Sequence, residues 1–222
     1  IEGNRIVFQR LRELFPATEG RVLEIGPGEG LLSMMLQDTG YIIECLDVRD
    51  SEFLPTSIPI KIMDVDSPIK HTLTEGQYDA VIAIDVIEHL RHPWQFVESV
   101  FSLVRPGGYF FITTPNIAGV LSRARFLVFG EFYLFPRPPA NLDYHNSHIM
   151  PLHWMTIENM FQSTGFTDVR ILSIRRSAVL CFQTVRSILF SLPRIIAFLF
   201  AFKGPRGRHI IVEGRKPETV AR

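Results

Sequence analysis

Cysteine is scarce: Cys45 and Cys181 are the only two in 222 residues, and neither belongs to a Cys-x-x-Cys or Cys/His cluster. That argues against a disulfide framework and against a structural zinc site. Cys45 falls inside an apolar run and reads as a buried thiol. Net charge is absent too, with 23 Lys/Arg against 23 Asp/Glu, so no global field favours nucleic acid or an acidic membrane. No apolar run reaches the roughly 20 uninterrupted residues of a membrane span; the best candidate, 178–202, contains Gln183, Arg186, Pro193 and Arg194. Internal repeats and low-complexity tracts are missing as well. Residues 1–15 alternate charged and apolar positions with a helical rhythm, unlike a leader peptide, and a reducing cytoplasm is the expected setting.

What is present is globular. Hydrophobic residues make up 46% and charged residues 21%, which excludes disorder as the main state and supplies a real core. The length suits one domain spanning 1–222. Charge is unevenly shared. Residues 1–169 hold 12 Lys/Arg and 21 Asp/Glu, whereas 170–222 hold 11 Lys/Arg and 2 Asp/Glu. The C-terminal part therefore carries a basic surface with a partner of its own.

Arg5–Phe15 reads as an amphipathic helix. Short apolar strands follow at Arg21–Ile25, Tyr41–Val48, Ile58–Met63, Tyr78–Ile84 and Tyr109–Thr114. Helical patterns fill Leu31–Gln37, Pro93–Leu103 and Thr156–Thr164, and two last strands lie at Val169–Ile174 and His209–Glu213. Between Pro115 and Thr156 no regular element is expected. Continuous apolar strands alternating with helices predict an α/β fold, a doubly wound and mostly parallel sheet covered on both faces.

The strongest constellation is VLEIGPGEG (22–30), a strand turning into a helix through Gly26, Gly28 and Gly30. Glycines let the backbone approach a ligand and expose the amides of the helix N-terminus. The dinucleotide fingerprint would want glycine at Leu31. Acids follow at strand ends: Asp47 where a carboxylate can accept ribose hydroxyls, Asp64 near an adenine amino group, and Glu24 for an ammonium. Each has a simpler reading as a turn or cap residue; their order along the chain favours one shared crevice.

With LDV (46–48), MDVDSPI (63–69), YDAVIAIDVIEHL (78–90), LVRPGGYFFITTPN (103–116) and MTIENMFQSTGF (155–166), the chain resembles class I S-adenosylmethionine-dependent methyltransferases. It is most similar to the small-molecule branch that includes the ubiquinone-pathway O-methyltransferases. The resemblance covers about residues 20–175 and the closing RHIIVEGRKP. It implies a seven-stranded Rossmann-like sheet with a reversed last hairpin, and S-adenosyl-L-methionine as cofactor. Glu24, Gly26, Pro27, Gly28 and Gly30 would hold the methionine moiety, Asp47 and Val48 the ribose, and Asp64 and Val65 the adenine. Asp85 would lie beside the sulfonium.

Methyl transfer to a hydroxyl needs a base, and His89 and His148 are the candidates. His148 sits in NLDYHNSHIMPLHW (141–154) with His145 and His153; the simpler reading there is a polar lid. Some relatives also place an acid-x-x-Glu-His motif on Mg²⁺ or Mn²⁺, which would make Asp85, Glu88 and His89 a metal site here. This chain has Asp85 where they have Glu, and metal-free relatives use Glu-His as helix-start residues. Residues 117–153 fall where this fold inserts a substrate lid, with Phe126, Phe129, Phe132, Tyr133 and Phe135 expected to roof an apolar pocket.

Residues 178–206 form a hydrophobic, basic insertion. They suit either a packed hairpin or, through 178–208, an anionic membrane surface. The expected activity is O-methylation of an apolar, lipid-linked, quinone-like or saccharide acceptor by a monomer or homodimer, with no nucleic-acid partner. The alternatives are a non-catalytic S-adenosylmethionine-binding scaffold and a nucleotide-dependent oxidoreductase.

Overall fold

A computed structural model describes residues 2–16, 20–67, 73–136, 147–174, 204–205 and 207–218. Cys181, His145 and the 178–202 stretch lie outside the described residues. The elements run α1 (Glu2–Leu14), β1 (Arg21–Ile25), α2 (Leu31–Gln37), β2 (Ile42–Asp47), β3 (Ile60–Ile62) and β4 (Tyr78–Ile84). A single 3-10 turn (Ile87–His89) leads into α3 (Pro93–Leu103) and β5 (Val104–Pro115). The chain closes with α4 (Val120–Phe129), α5 (Trp154–Thr164), β6 (Thr167–Ile174) and β7 (His209–Arg215).

The strands form one seven-stranded sheet in the order β3-β2-β1-β4-β5-β7-β6. The first five pair in parallel, and β7 enters antiparallel between β5 and β6. The α/β sheet and its reversed last hairpin match the expectation. Strand periodicity sends neighbouring side chains to opposite faces. Leu23, Val81, Phe110 and Val212 pack with α3 and α5 on one face, while Val22, Ile82, Phe111 and Ile211 pack with α1 and α2 on the other. The central strands thus place apolar residues on both faces because neither face meets water.

Two expectations change. The segment after Pro115 holds a helix, α4, bracketed by Gly119 and by Gly130 in the left-handed region at φ 70°. Its Leu, Ala and Arg content suits a helix, but it lacks the amphipathic stripe by which helices are recognised in sequence. The aromatic roof is not built as expected. Phe126 and Phe129 are 50% and 68% exposed and roof no pocket among the described residues. Of the five rings only Phe135 is buried, and it packs 5.3 Å from the His148 ring.

Candidate active site

The order of strands reverses between β1 and β4, and ligands of such sheets bind outside the strand carboxyl ends at this point. A cavity of about 190 Å³ lies there, lined by the residues that end β1, β2, β3 and β4, among them Gly26, Gly28, Asp47, Asp64 and Asp85. The glycines differ in purpose. A Cβ on Gly26 (φ 68°) would come within 2.5 Å of Val86, so this residue lets two loops touch. A Cβ on Gly28 (φ 53°) would meet nothing within 4 Å, which leaves open space over a backbone that borders the cavity. A Cβ on Gly30 would instead come within 2.7–2.8 Å of Pro55 and Phe53. Neither Gly30 nor Pro27 is among the cavity-lining residues.

The acids are held by the backbone around them. Asp47 Oδ1 accepts the Val48 amide at 2.7 Å, and Asp64 Oδ1 accepts that of Asp66 at 2.9 Å. Val48 and Val65 line the cavity beside them. Asp85 adopts a left-handed backbone (φ 53°), which an L-residue sustains only when its surroundings hold it. Thr113 does so: its hydroxyl donates to Asp85 Oδ1 at 2.7 Å and accepts the Asp85 amide at 3.0 Å.

Glu24 does not reach the cavity. It is buried beneath the loop, where the Ser33 hydroxyl donates to its carboxylate, and Ser33 also touches Cys45 Sγ at 3.1 Å. Burial pushes the Glu24 carboxyl up to about 7, against the opposing pull of Ser33. Cys45 is the buried thiol expected, and burial raises it to about 12.

Sequence reasoning missed Asp66, Arg91 and Arg49, which also line the cavity. Asp66 accepts Arg91 Nε at 2.9 Å and the His92 amide at 2.8 Å, tying the loop after β3 to the start of α3. Burial raises the Asp66 carboxyl, but these bonds outweigh it and the net shift is downward. The repeated acid in MDVD was the available signal.

Behind the cavity stands a second cluster. Ligand atoms of Glu88, His89 and His148 lie within 4.8 Å of one another. The turn after β4 supplies the first two; backbone bonds from Ile149 and Met150 to the Glu88 carbonyl, both 2.9 Å, bring in the third. His89 Nδ1 meets the Ser147 carbonyl at 3.0 Å, and His148 Nδ1 meets that of Leu134 at 2.8 Å. A carbonyl only accepts, so both imidazoles carry hydrogen on Nδ1, and in the neutral form each keeps its lone pair on Nε2.

Glu88 is fully buried, and neither carboxylate oxygen has a hydrogen-bond partner. Burial, and then the charge of Asp85, push its carboxyl well above the usual range. Asp85, expected as a metal ligand, is not in this cluster; His148 takes that place. His153 is elsewhere, capping α5 by accepting the Met155 amide at 3.2 Å.

A strand-end cavity lined by acids and a glycine loop defines a crevice for a ribose-bearing cofactor, and comparison with known proteins specifies which. A family model described as a methyltransferase domain matches residues 2–171. The chain belongs to this family, the class I S-adenosylmethionine-dependent methyltransferases, and its cofactor is S-adenosylmethionine. It is 28% identical over 138 residues to the ubiquinone biosynthesis O-methyltransferase of Shewanella pealeana, covering 59% of this chain and 58% of that protein. The Proteus mirabilis protein of the same name is 31% identical over 152 residues, covering 63% of this chain and 60% of its own length. The chain thus spans less than two thirds of the curated relatives it matches.

In fold it is similar to a SAM-dependent methyltransferase from Archaeoglobus fulgidus (TM-score 0.62, 20% identity, 96% of this chain and 94% of that one). It is also similar to Haemonchus contortus phosphoethanolamine N-methyltransferase 2 in complex with S-adenosyl-L-methionine (TM-score 0.60, 16% identity, 96% of this chain and 52% of that one).

Proposed function

We propose that this protein methylates a hydroxyl group on an apolar, quinone-like or lipid-linked acceptor. The observation that carries the reading is the position of His89, which lines the cofactor cavity and also stacks edge-on against His148 at 4.8 Å. A base-competent imidazole therefore borders the cofactor cavity, with His148 against it and Phe135 behind His148. The names of the ubiquinone-pathway relatives support a hydroxyl on an apolar ring. S-adenosylmethionine supplies a methyl group on a sulfonium, open to direct displacement. Gly26 and Gly28 offer backbone to its amino-acid end, Asp47 a carboxylate to its ribose, and Asp64 with Val65 an edge to its adenine. The chain's further task is to orient the acceptor oxygen and take its proton at an imidazole Nε2.

The buried Glu88 carboxylate, 4.0 Å from His148 Nε2, favours a second reading of the same cluster, in which Glu88, His89 and His148 hold a divalent cation. Ligating histidines characteristically donate their other nitrogen to a carbonyl, as both do here. Such a cation lowers the pKa of a hydroxyl it binds. The donor set of one carboxylate and two imidazoles fits Mn²⁺ better than an all-oxygen ion.

The test is methyl transfer to a polyprenylated catechol, with and without EDTA. His89→Ala should reduce turnover about 100-fold or more while S-adenosylmethionine still binds in calorimetry. Unchanged turnover in that variant would sink the base assignment. Full activity in EDTA, together with no heat on titrating Mn²⁺ into the protein, would dismiss the cation. The scaffold alternative predicts cofactor binding and no transfer to any hydroxyl acceptor.

A further inference from the structure

The last turn of α4 is not built like a water-facing helix end. Phe126, Leu127, Val128 and Phe129 occupy four consecutive positions and so point to every side of the helix. Even so, Leu127, Val128 and Phe129 are 66%, 69% and 68% exposed. A helix apolar around its whole circumference is ordinarily buried. Leu121, nearer the start of α4, is also exposed. The left-handed Gly130 stops the helix, and Phe132 stacks back on Phe126 at 4.9 Å, so the apolar turn forms a convex tip.

Arginines border this tip. Arg123 and Arg125 precede it; the Arg125 guanidinium lies 5.6 Å over the Phe129 ring and is paired with Glu131 at 2.7 Å, which offsets its charge. The exposed Arg208 lies 5.7 Å over Tyr133. Topology explains why Arg208 is near: β5 ends at Pro115 opposite His209, the first residue of β7. Asn116 then fastens the two chains by donating from Nδ2 to the carbonyls of Pro205 and Gly207 at 2.7 and 2.9 Å. Residues 116–136 and the chain entering β7 therefore leave the sheet together, at the carboxyl end of β5 where the cofactor cavity also lies. In sequence, residues 175–208 hold seven Lys/Arg and no Asp/Glu.

We propose that the tip of α4 docks this protein on an anionic lipid surface. Leu127, Val128 and Phe129 would enter the boundary between headgroups and acyl chains, with the arginines meeting the phosphates. One convex helical turn is far smaller than the roughly 800 Å² per partner that a stable protein interface buries. It is well suited to insertion into a bilayer, and the exposed Arg208 together with the basic excess of 175–208 in sequence complements anionic headgroups. The docking stands apart from the acceptor assignment. Its consequence, delivery of an apolar acceptor to the cavity without crossing water, rests on that assignment.

Sedimentation of the full chain with vesicles tests the proposal, using phosphatidylcholine alone and phosphatidylcholine mixed with phosphatidylglycerol. Binding is expected to the mixed vesicles and should weaken as salt rises. The double substitution Leu127→Gln/Phe129→Gln should lower it by about tenfold or more. Both side chains are exposed, so the variant should keep the circular dichroism and thermal midpoint of the parent. The proposal is overturned if the intact chain ignores mixed vesicles, if the variant binds them as well as the parent, or if phosphatidylglycerol makes no difference. A dimer that the same substitutions break, without vesicle binding, would give the tip to a second copy and overturn it equally. Failure of S-adenosylmethionine to bind would strike the cofactor reading and leave the vesicle result standing.

Discussion

Glu24 shows how far a single residue's chemistry depends on what is stacked above it. The strand end, the glycine loop and α2 bury it, with Ser33 as its hydrogen-bond donor and Cys45 just beyond. Its carboxyl titrates near 7 when folded against an ordinary 4.5. Between these values the unfolded chain has released a proton that the folded one keeps, so stability falls as pH rises from about 4.5 to about 7. The loss should reach about 3 kcal/mol. Glu24→Gln has no such proton to lose, and urea denaturation at acid and alkaline pH should show its advantage over the parent growing with pH. An equal difference at both ends would mean that Glu24 stays ionised. In sequence, Glu24 reads as a ligand for an ammonium because it is one of the acids on strands that converge on a single crevice. Strand alternation instead turns it below the sheet end, toward Ser33.

Among the elements, the turn from β1 into α2 was legible because glycine spacing is a local signal. What each glycine does was not. Gly30 serves the helix start, at φ 78°, beneath Phe53 and Pro55 of a loop more than twenty residues later. Gly30→Ala should cost about 2 kcal/mol from the left-handed backbone alone, with more from the crowded ring atoms, read as a lower midpoint in chemical denaturation. A change of a few tenths would show that the loop yields freely. α4 is the opposite case. Its helix-forming residues were visible, but a helix without an apolar stripe carries no periodic signature. Its exposed tip is a property of where β5 ends.

At the scale of the molecule, the first helix is tied to the last strand. Arg10 donates from Nε and Nη2 to the two carboxylate oxygens of Glu213, both at 2.8 Å, and Glu213 is almost fully buried. Glu213→Ala removes the two-pronged acceptor of a guanidinium that keeps only the exposed Glu13, and a loss of about 2 kcal/mol follows. Arg10→Ala/Glu213→Ala should recover part of that loss; a double mutant no better than the single would assign the cost to β7 alone. This closure across residues 10 and 213 keeps α1 on the sheet face opposite α3 and α5. Among the described residues, no helix is long and apolar enough to cross a membrane.

Alternating apolar strands and helices, the glycine turn, and acids at strand ends determined the α/β sheet and its crevice from sequence alone. Each depends on neighbours along the chain, through strand alternation, helix period and backbone freedom at glycine. The 4.8 Å meeting of Glu88, His89 and His148 was decided only by the tertiary structure. Glu88 and His89 are adjacent in sequence, but the turn after β4 must present them to residues 147–150, some sixty positions away, before Ser147 and Leu134 carbonyls can set the imidazole tautomers. The lone carboxylate of Glu88 is a matter of burial and desolvation. Those are sums over everything packed around a side chain, and no local pattern records them.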